Sequence, residues 1–139
     1  MRPLILLMLF VSLLAPVSAV VINEIMPHTN NFWGDEWLEL YNPTNGTVVL
    51  NAWKIGDLSS NDTFSLNISA AGFGLIVDSG TGNNTGCAAF NISAESCIAL
   101  STIGSGLNDG AETVFLYDAA GNLIDTFSWS TNIKSSGHS

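Results

Sequence analysis

The sequence has very few basic residues. Its 139 residues include 12 Asp or Glu but only three Lys or Arg, and the formal net charge is −9. Without Arg2, which we assign below to a signal peptide, Lys54 and Lys134 remain and the net charge becomes 2 − 12 = −10. Nucleic acids and anionic lipids are bound by clustered basic side chains. We therefore expect no direct binding of nucleic acid by this chain.

Cysteine is equally scarce, with only Cys87 and Cys97 present. In an exported chain two cysteines usually pair, so the sequence predicts a disulfide that closes a loop of about ten residues. On the chain-entropy model such a bridge stabilises the fold by roughly 2–3 kcal/mol. The alternative is a metal site, but His28 and His138 lie far away in sequence and the spacing fits no zinc pattern.

Long hydrophobic runs are absent after the first segment of the chain. The run from Leu4 to Leu14 follows the basic Arg2 and precedes the small residues 17–19 (VSA). This three-part layout predicts a signal peptide over residues 1–19, cleaved after Ala19. The alternative, an uncleaved membrane anchor, needs about 20 apolar residues and the run is shorter. Residues 20–139 then form one domain of a secreted or cell-surface protein.

Sustained helical periodicity is also missing. Short β-branched or aromatic runs separated by turn residues predict about eight strands in an all-β, antiparallel sandwich. Asn45-Gly46 predicts a tight reversal between strands 36–41 and 47–50, and Gly121 a short hairpin loop over 118–122. Residues 79–96 predict an exposed loop. The runs lie at 20–25, 36–41, 47–50, 52–56, 63–68, 73–78, 97–100, 112–117 and 122–129.

The segment 36–41 (EWLELY) holds two carboxylates beside aromatic residues, which is a composition found in glycosidase sites. Side chains alternate along a strand, so Glu36 and Glu39 would face opposite ways and could not flank one glycosidic bond. We expect Glu36 to turn to solvent at the strand start. Trp37, Glu39 and Tyr41 share a face that could bind a partner or a sugar, together with Trp33. The alternative is that this face packs beneath a loop or a neighbouring strand.

Other motifs favour turns over chemistry. Asp109-Gly110 and the 118–122 segment lack the alternating oxygen ligands of a calcium loop. Gly-x-Ser-x-Gly does not occur, and Gly104-Ser-Gly106 lacks the lysine of a phosphate-binding loop. The sequence therefore predicts no catalytic residue, no metal site and no cofactor.

Asn-x-Ser/Thr sequons occur five times, which predicts surface glycosylation in a host that has the machinery. Asn42 is not among them because Pro43 follows it. The candidate positions are Asn45, Asn61, Asn67, Asn83 and Asn91.

With the strands placed, the order of motifs resembles the lamin tail domain, an immunoglobulin-like β-sandwich of nuclear lamins and of secreted bacterial and archaeal proteins. The likeness covers nearly all of residues 20–130. Its pieces are 21–25 (VINEI), 36–43 (EWLELYNP), 49–50 with 52–55, 64–66, 72–77, 106–118 and 121–127.

The resemblance implies a partner-recognising sandwich without catalytic residues. Family members typically continue into one more strand, so residues 20–139 are expected to lack the last one. We therefore expect a secreted or cell-surface interaction module whose partner is a protein or a glycan. One alternative is an accessory domain of a larger secreted nuclease or phosphoesterase with its catalytic part beyond residue 139. Another is a carbohydrate-binding module that uses Trp33, Trp37 and Tyr41.

Overall fold

The computed structural model describes residues 20–27, 36–79 and 85–130, and within them the chain forms eight strands and one short helix. The predicted signal peptide, Trp33, Asn83 and the C-terminal residues 131–139 lie outside the described residues. The elements are β1 Val21–Met26, β2 Trp37–Tyr41, β3 Val48–Gly56, β4 Asn61–Ile68, β5 Phe73–Asp78, α1 Thr85–Ala89, β6 Cys97–Leu100, β7 Glu112–Tyr117 and β8 Leu123–Trp129.

The strands form two four-stranded sheets. Sheet A has the order β1-β2-β5-β6 and sheet B the order β4-β3-β7-β8. All neighbours are antiparallel except β5 and β6, which are parallel. This architecture confirms the predicted all-β sandwich. In the described part of the chain, no helix is long and apolar enough to cross a membrane.

The core lies between the sheets and follows from the two-residue period of the strands. Leu38 and Leu40 of β2 are fully buried, as are Val114 and Leu116 of β7 in the opposite sheet. Phe64, Leu66 and Ile68 of β4 alternate with exposed polar residues. Each such side chain stabilises the fold by about 1.5–3 kcal/mol relative to exposure. The apolar alternation therefore determines which side of each sheet faces inward.

The two runs predicted at 47–50 and 52–56 are one strand, β3, with a bulge. The pairing with β4 shifts between Leu50 and Trp53, and Ala52 has a φ of 55°. The Ala52 amide donates to Ser65 Oγ at 3.1 Å. Leu50 and Trp53 are both buried although they are three residues apart. A regular strand would place them on opposite faces, so the extra residue of the bulge is what turns both inward.

The predicted reversal at Asn45-Gly46 is wrong. The chain from β2 to β3 passes from sheet A to sheet B, and neither Asn45 nor Gly46 has a positive φ. Asn42 organises this crossing instead. Its Nδ2 donates to the carbonyls of Gly46, Ile68 and Ser69, and its Oδ1 accepts from the amide and hydroxyl of Thr44. A buried side-chain amide thus replaces the backbone pairing of a hairpin.

The predicted hairpin over residues 118–122 is present between β7 and β8. Gly121 has a φ of 86°, and the amide of Asp118 donates to the carbonyl of Asn122. Both carboxylate oxygens of Asp118 accept from Asn122, from its side-chain amide and from its backbone. These hydrogen bonds lower the pKa of Asp118. The turn is therefore tied by its own side chains, as the Asp-x-x-Gly-Asn pattern suggests.

Candidate interaction surfaces

The outward side of sheet A, called face A below, carries the aromatic residues that the sequence singled out. Trp37 and Tyr41 alternate with the core residues of β2, so they project away from the other sheet. Trp37 lies opposite Met26 and Val77, and Tyr41 lies between Val21 and Phe73. The two aromatic residues therefore occupy the two ends of one outward row.

The Trp37 end of face A is covered by the polypeptide. Cys87 and Cys97 form the predicted disulfide, with their Cα atoms 5.8 Å apart. The bridge ties α1 to β6, so both sulfurs lie in a small apolar cluster with Leu75, Val77 and Ala99, against which Trp37 packs. Phe90, just after α1, meets the Trp37 ring edge-on at 6.3 Å. Trp37 therefore packs against the crossover that contains α1 and Phe90, which matches the alternative interpretation of this face.

The Tyr41 end of face A is open. The Tyr41 and Phe73 rings lie 4.9 Å apart, tilted by 33°, and Phe73 is 51% exposed. Val21, on the neighbouring strand, is also exposed. Glu39, in the middle of the row, accepts a hydrogen bond from Asn23 Nδ2 at 2.7 Å. Face A thus ends in a small apolar patch beside a carboxylate.

Glu36 lies on the opposite side of β2 from Glu39, but the expectation that it turns to solvent is wrong. It is half-buried, and its Oε2 accepts from the Leu107 amide at 2.9 Å. Burial raises the pKa of this carboxyl to about 7, and repulsion from Asp78, Glu112 and Asp109 adds to the effect. The Leu107 hydrogen bond opposes the shift without cancelling it. The position precedes a strand whose inward face is buried, so this side chain follows the inward alternation.

A second pair of acids was missed by sequence reasoning. Asp57, in the β3–β4 turn, accepts from the amides of Ser59 and Ser60 and from both the amide and hydroxyl of Ser105. Asp62 accepts from the Gly104 amide at 2.6 Å. Burial would raise the pKa of Asp57, but these hydrogen bonds outweigh it and hold the pKa low. The pair anchors the loop between β6 and β7, which is a structural task.

No cluster of three or more His, Cys, Asp or Glu in the described ranges could hold a metal ion. The described residues thus form a two-sheet sandwich with a disulfide-linked crossover and aromatic residues on its outward faces. A sequence model of the Lamin Tail Domain family matches residues 15–131. The chain belongs to the lamin tail domain family. No curated protein matches the chain.

The outward side of sheet B, called face B below, is a feature of this lamin tail domain that sequence reasoning missed. Phe115 and Tyr117 of β7 stack on it, with ring centroids 6.2 Å apart and planes inclined by 20°. Lys54 of β3 lies beside Tyr117 in the strand pairing. The alternation of 112–117 (ETVFLY) could have shown that both rings share a side. It could not show that the buried side is the one with Val114 and Leu116.

Four of the five sequons of the lamin tail domain lie in the described residues, and all four asparagines are exposed. Asn42, which is not a sequon, is fully buried. Asn61 and Asn67 are both on β4 and point outward from face B. Asn45 lies in the crossing between the sheets, and Asn91 follows α1 with a φ of 53°. These positions leave every described sequon accessible to a modifying enzyme.

Proposed function

We propose that this lamin tail domain is a secreted or cell-surface, non-catalytic interaction module that binds a protein through the open end of face A. Family membership supports a non-catalytic role, since lamin tail domains are immunoglobulin-like modules. The Cys87–Cys97 bridge is of the kind that forms in oxidising compartments. The predicted signal peptide supports the same location.

The single observation that carries the proposal is the contact of the exposed Phe73 ring with the half-buried Tyr41 ring. Scattered single hydrophobic residues are normal on a surface, but here two rings in contact and Val21 adjoin one another on neighbouring strands. Aromatic residues dominate the binding energy of protein interfaces. A pair held rigidly on a sheet also loses little side-chain entropy when a partner binds.

Charge indicates the chemistry of the partner. Glu24 and Glu39 lie opposite one another on β1 and β2, next to the ring pair. The mature chain as a whole carries a charge of 2 − 12 = −10. A partner surface with apolar side chains ringed by Lys or Arg would therefore be attracted, and its binding would weaken as salt is raised.

The test measures binding of the fluorescently labelled mature domain to the surface of the producing cells by flow cytometry. Phe73→Ser should weaken binding about tenfold or more, because it removes an aromatic anchor. Leu123→Ser is the matched control, since Leu123 is 54% exposed on the other sheet and should leave binding unchanged. Protease treatment of the cells should abolish binding, and periodate oxidation of their glycans should not.

Two results would contradict the proposal. Equal binding by the Phe73→Ser and Leu123→Ser variants would show that the ring pair is not the contact surface. Binding that survives protease but is lost after periodate would assign the partner to the glycans, the alternative that the sequence also allowed.

A further inference from the structure

Face B differs chemically from the rest of this acidic domain. The outward positions of its four strands, all within the described residues, carry no carboxylate. Around the Phe115–Tyr117 pair they present hydroxyls, one cation and one exposed apolar side chain. These neighbours are Thr63, Lys54, Thr113, Thr126, Ser128 and Leu123, which pairs with Tyr117. Half-exposed rings among hydroxyls form a surface suited to a neutral, polyhydroxylated ligand rather than to a basic protein.

Asn61 lies on the same row of face B as Phe115. The strand pairing places Asn61 opposite Gly56, and Gly56 opposite Phe115. Two strand spacings, about 10 Å, therefore separate Asn61 from Phe115. Gly56 between them has no side chain, and a Cβ built on it would lie only 2.6 Å from Asn61 Cα and 2.7 Å from Asn61 Oδ1. No side chain therefore stands between Asn61 and Phe115 in this row.

We propose that Asn61 carries an N-linked glycan whose first sugars lie on the Phe115–Tyr117 pair. The sequon is Asn61-Asp-Thr63, and both Asn61 and Thr63 are exposed. The proposal rests on the extracellular location proposed above, because the chain must pass through a glycosylating compartment.

The stacking has a simple physical basis. The faces of aromatic rings are electron-rich, and the C–H groups of a pyranose ring are weakly positive. Covering two half-exposed rings also removes apolar surface from water. The ring centroids are 6.2 Å apart and the ring planes are inclined by only 20°, so one sugar can contact both rings. A sugar attached to Asn61 would reach this pair without a rearrangement of the backbone.

Asn67 provides an internal comparison. It lies on the same strand and the same face as Asn61, six residues further along. Its neighbourhood is a surface cleft of about 300 Å³, and the residues that line the cleft include no aromatic ring. A glycan at Asn67 would therefore have no ring to cover.

The experiment uses the full chain, secreted from a host that carries out N-glycosylation. Glycopeptide mass mapping should find Asn61 occupied. Hydroxyl-radical footprinting should then show Phe115 and Tyr117 oxidised several-fold less in the glycosylated protein than after enzymatic removal of the glycans. Thr63→Ala, which abolishes only this sequon, should restore oxidation of both rings. Ser69→Ala, which abolishes the Asn67 sequon, should not.

Three results would overturn the proposal, and they separate it from the function proposed above. If other sequons are occupied and Asn61 is not, the site is wrong but the extracellular location stands. If Asn61 is occupied and the rings are oxidised equally with and without its glycan, the stacking is wrong. If the chain is not exported and no sequon is modified, the location fails together with the glycan.

Discussion

The two outward faces of this sandwich differ in what covers them, and the difference follows from how the strands are connected. Face A is partly covered by α1 and the disulfide, whereas the ring pair of face B is half-exposed. Sheet A contains the parallel pair β5 and β6, and parallel neighbours require a long crossover. Cys87 of α1 and Phe90, which belong to that crossover, lie against Trp37. The pairs β3–β4 and β7–β8 are hairpins whose short turns lie at the strand ends.

The largest effect should come from breaking the link between the two sheets. Asn42→Ala removes five hydrogen bonds at a fully buried position where the chain passes from β2 to β3. We expect a loss of about 3–4 kcal/mol in the free energy of unfolding, because buried carbonyls are left without donors. Urea titration followed by circular dichroism measures this loss.

Asn45→Ala is the matched control for this experiment. Asn45 is exposed in the same crossing, and its replacement should change stability by less than about 0.5 kcal/mol in protein made without glycans. Equal losses for the two variants would show that the crossing depends on its loop and not on the buried amide.

A smaller effect should follow from uncovering face A alone. The Cys87→Ser/Cys97→Ser double variant releases the crossover from sheet A and should cost about 2–3 kcal/mol. Hydroxyl-radical oxidation of Trp37, measured by mass spectrometry, should rise, while oxidation of Phe115 and Tyr117 on face B should not change. An unchanged Trp37 signal would mean that the cover stays in place without the bridge.

The smallest effect concerns the carboxylate on the inward side of β2. The pKa of Glu36 is raised from 4.5 to about 7, so the fold is favoured when Glu36 is protonated. Its contribution to stability should therefore fall as pH rises from about 4.5 to about 7 and stay constant above that. Glu36→Gln should stabilise the domain at pH 8 by about 1–2 kcal/mol, a figure reduced because the side chain is only half-buried.

Thermal unfolding at pH 8 and pH 4 tests this prediction. The advantage of Glu36→Gln should vanish at pH 4, where Glu36 is protonated in the folded and unfolded states alike. Glu39→Gln, on the outward side of the same strand, should gain less at pH 8. A Glu36→Gln variant no more stable than the wild type at pH 8 would contradict the assignment.

Much of the fold could be predicted because buried apolar residues recur at every second position of a strand. The runs at 36–41, 73–78, 97–100 and 112–117 correspond to strands within one residue at each end. The prediction fails where residues distant in sequence determine the local conformation. Asn45-Gly46 has the composition of a tight turn, but the buried amide of Asn42 reaches carbonyls of Ile68 and Ser69, more than 20 residues away.

The candidate surfaces could be predicted only in part, for the same reason. Alternation showed that Trp37, Glu39 and Tyr41 share a face, but not that α1 covers Trp37 and leaves Tyr41 open. It also showed nothing of the pairing that places Asn61 in line with Phe115. The cover over Trp37 and the strand pairing around Asn61 both depend on residues distant in sequence.

The sequence by itself determined the all-β class, the inward and outward sides of most strands, the pairing of two scarce cysteines and the family likeness. Each of these depends on residue type and on spacing between near neighbours. The tertiary structure alone decided the inward turn of Glu36, the crossing held by Asn42 and the two unlike faces. Those features depend on which strands become neighbours. The sequence of one segment does not specify which distant segment will pack beside it.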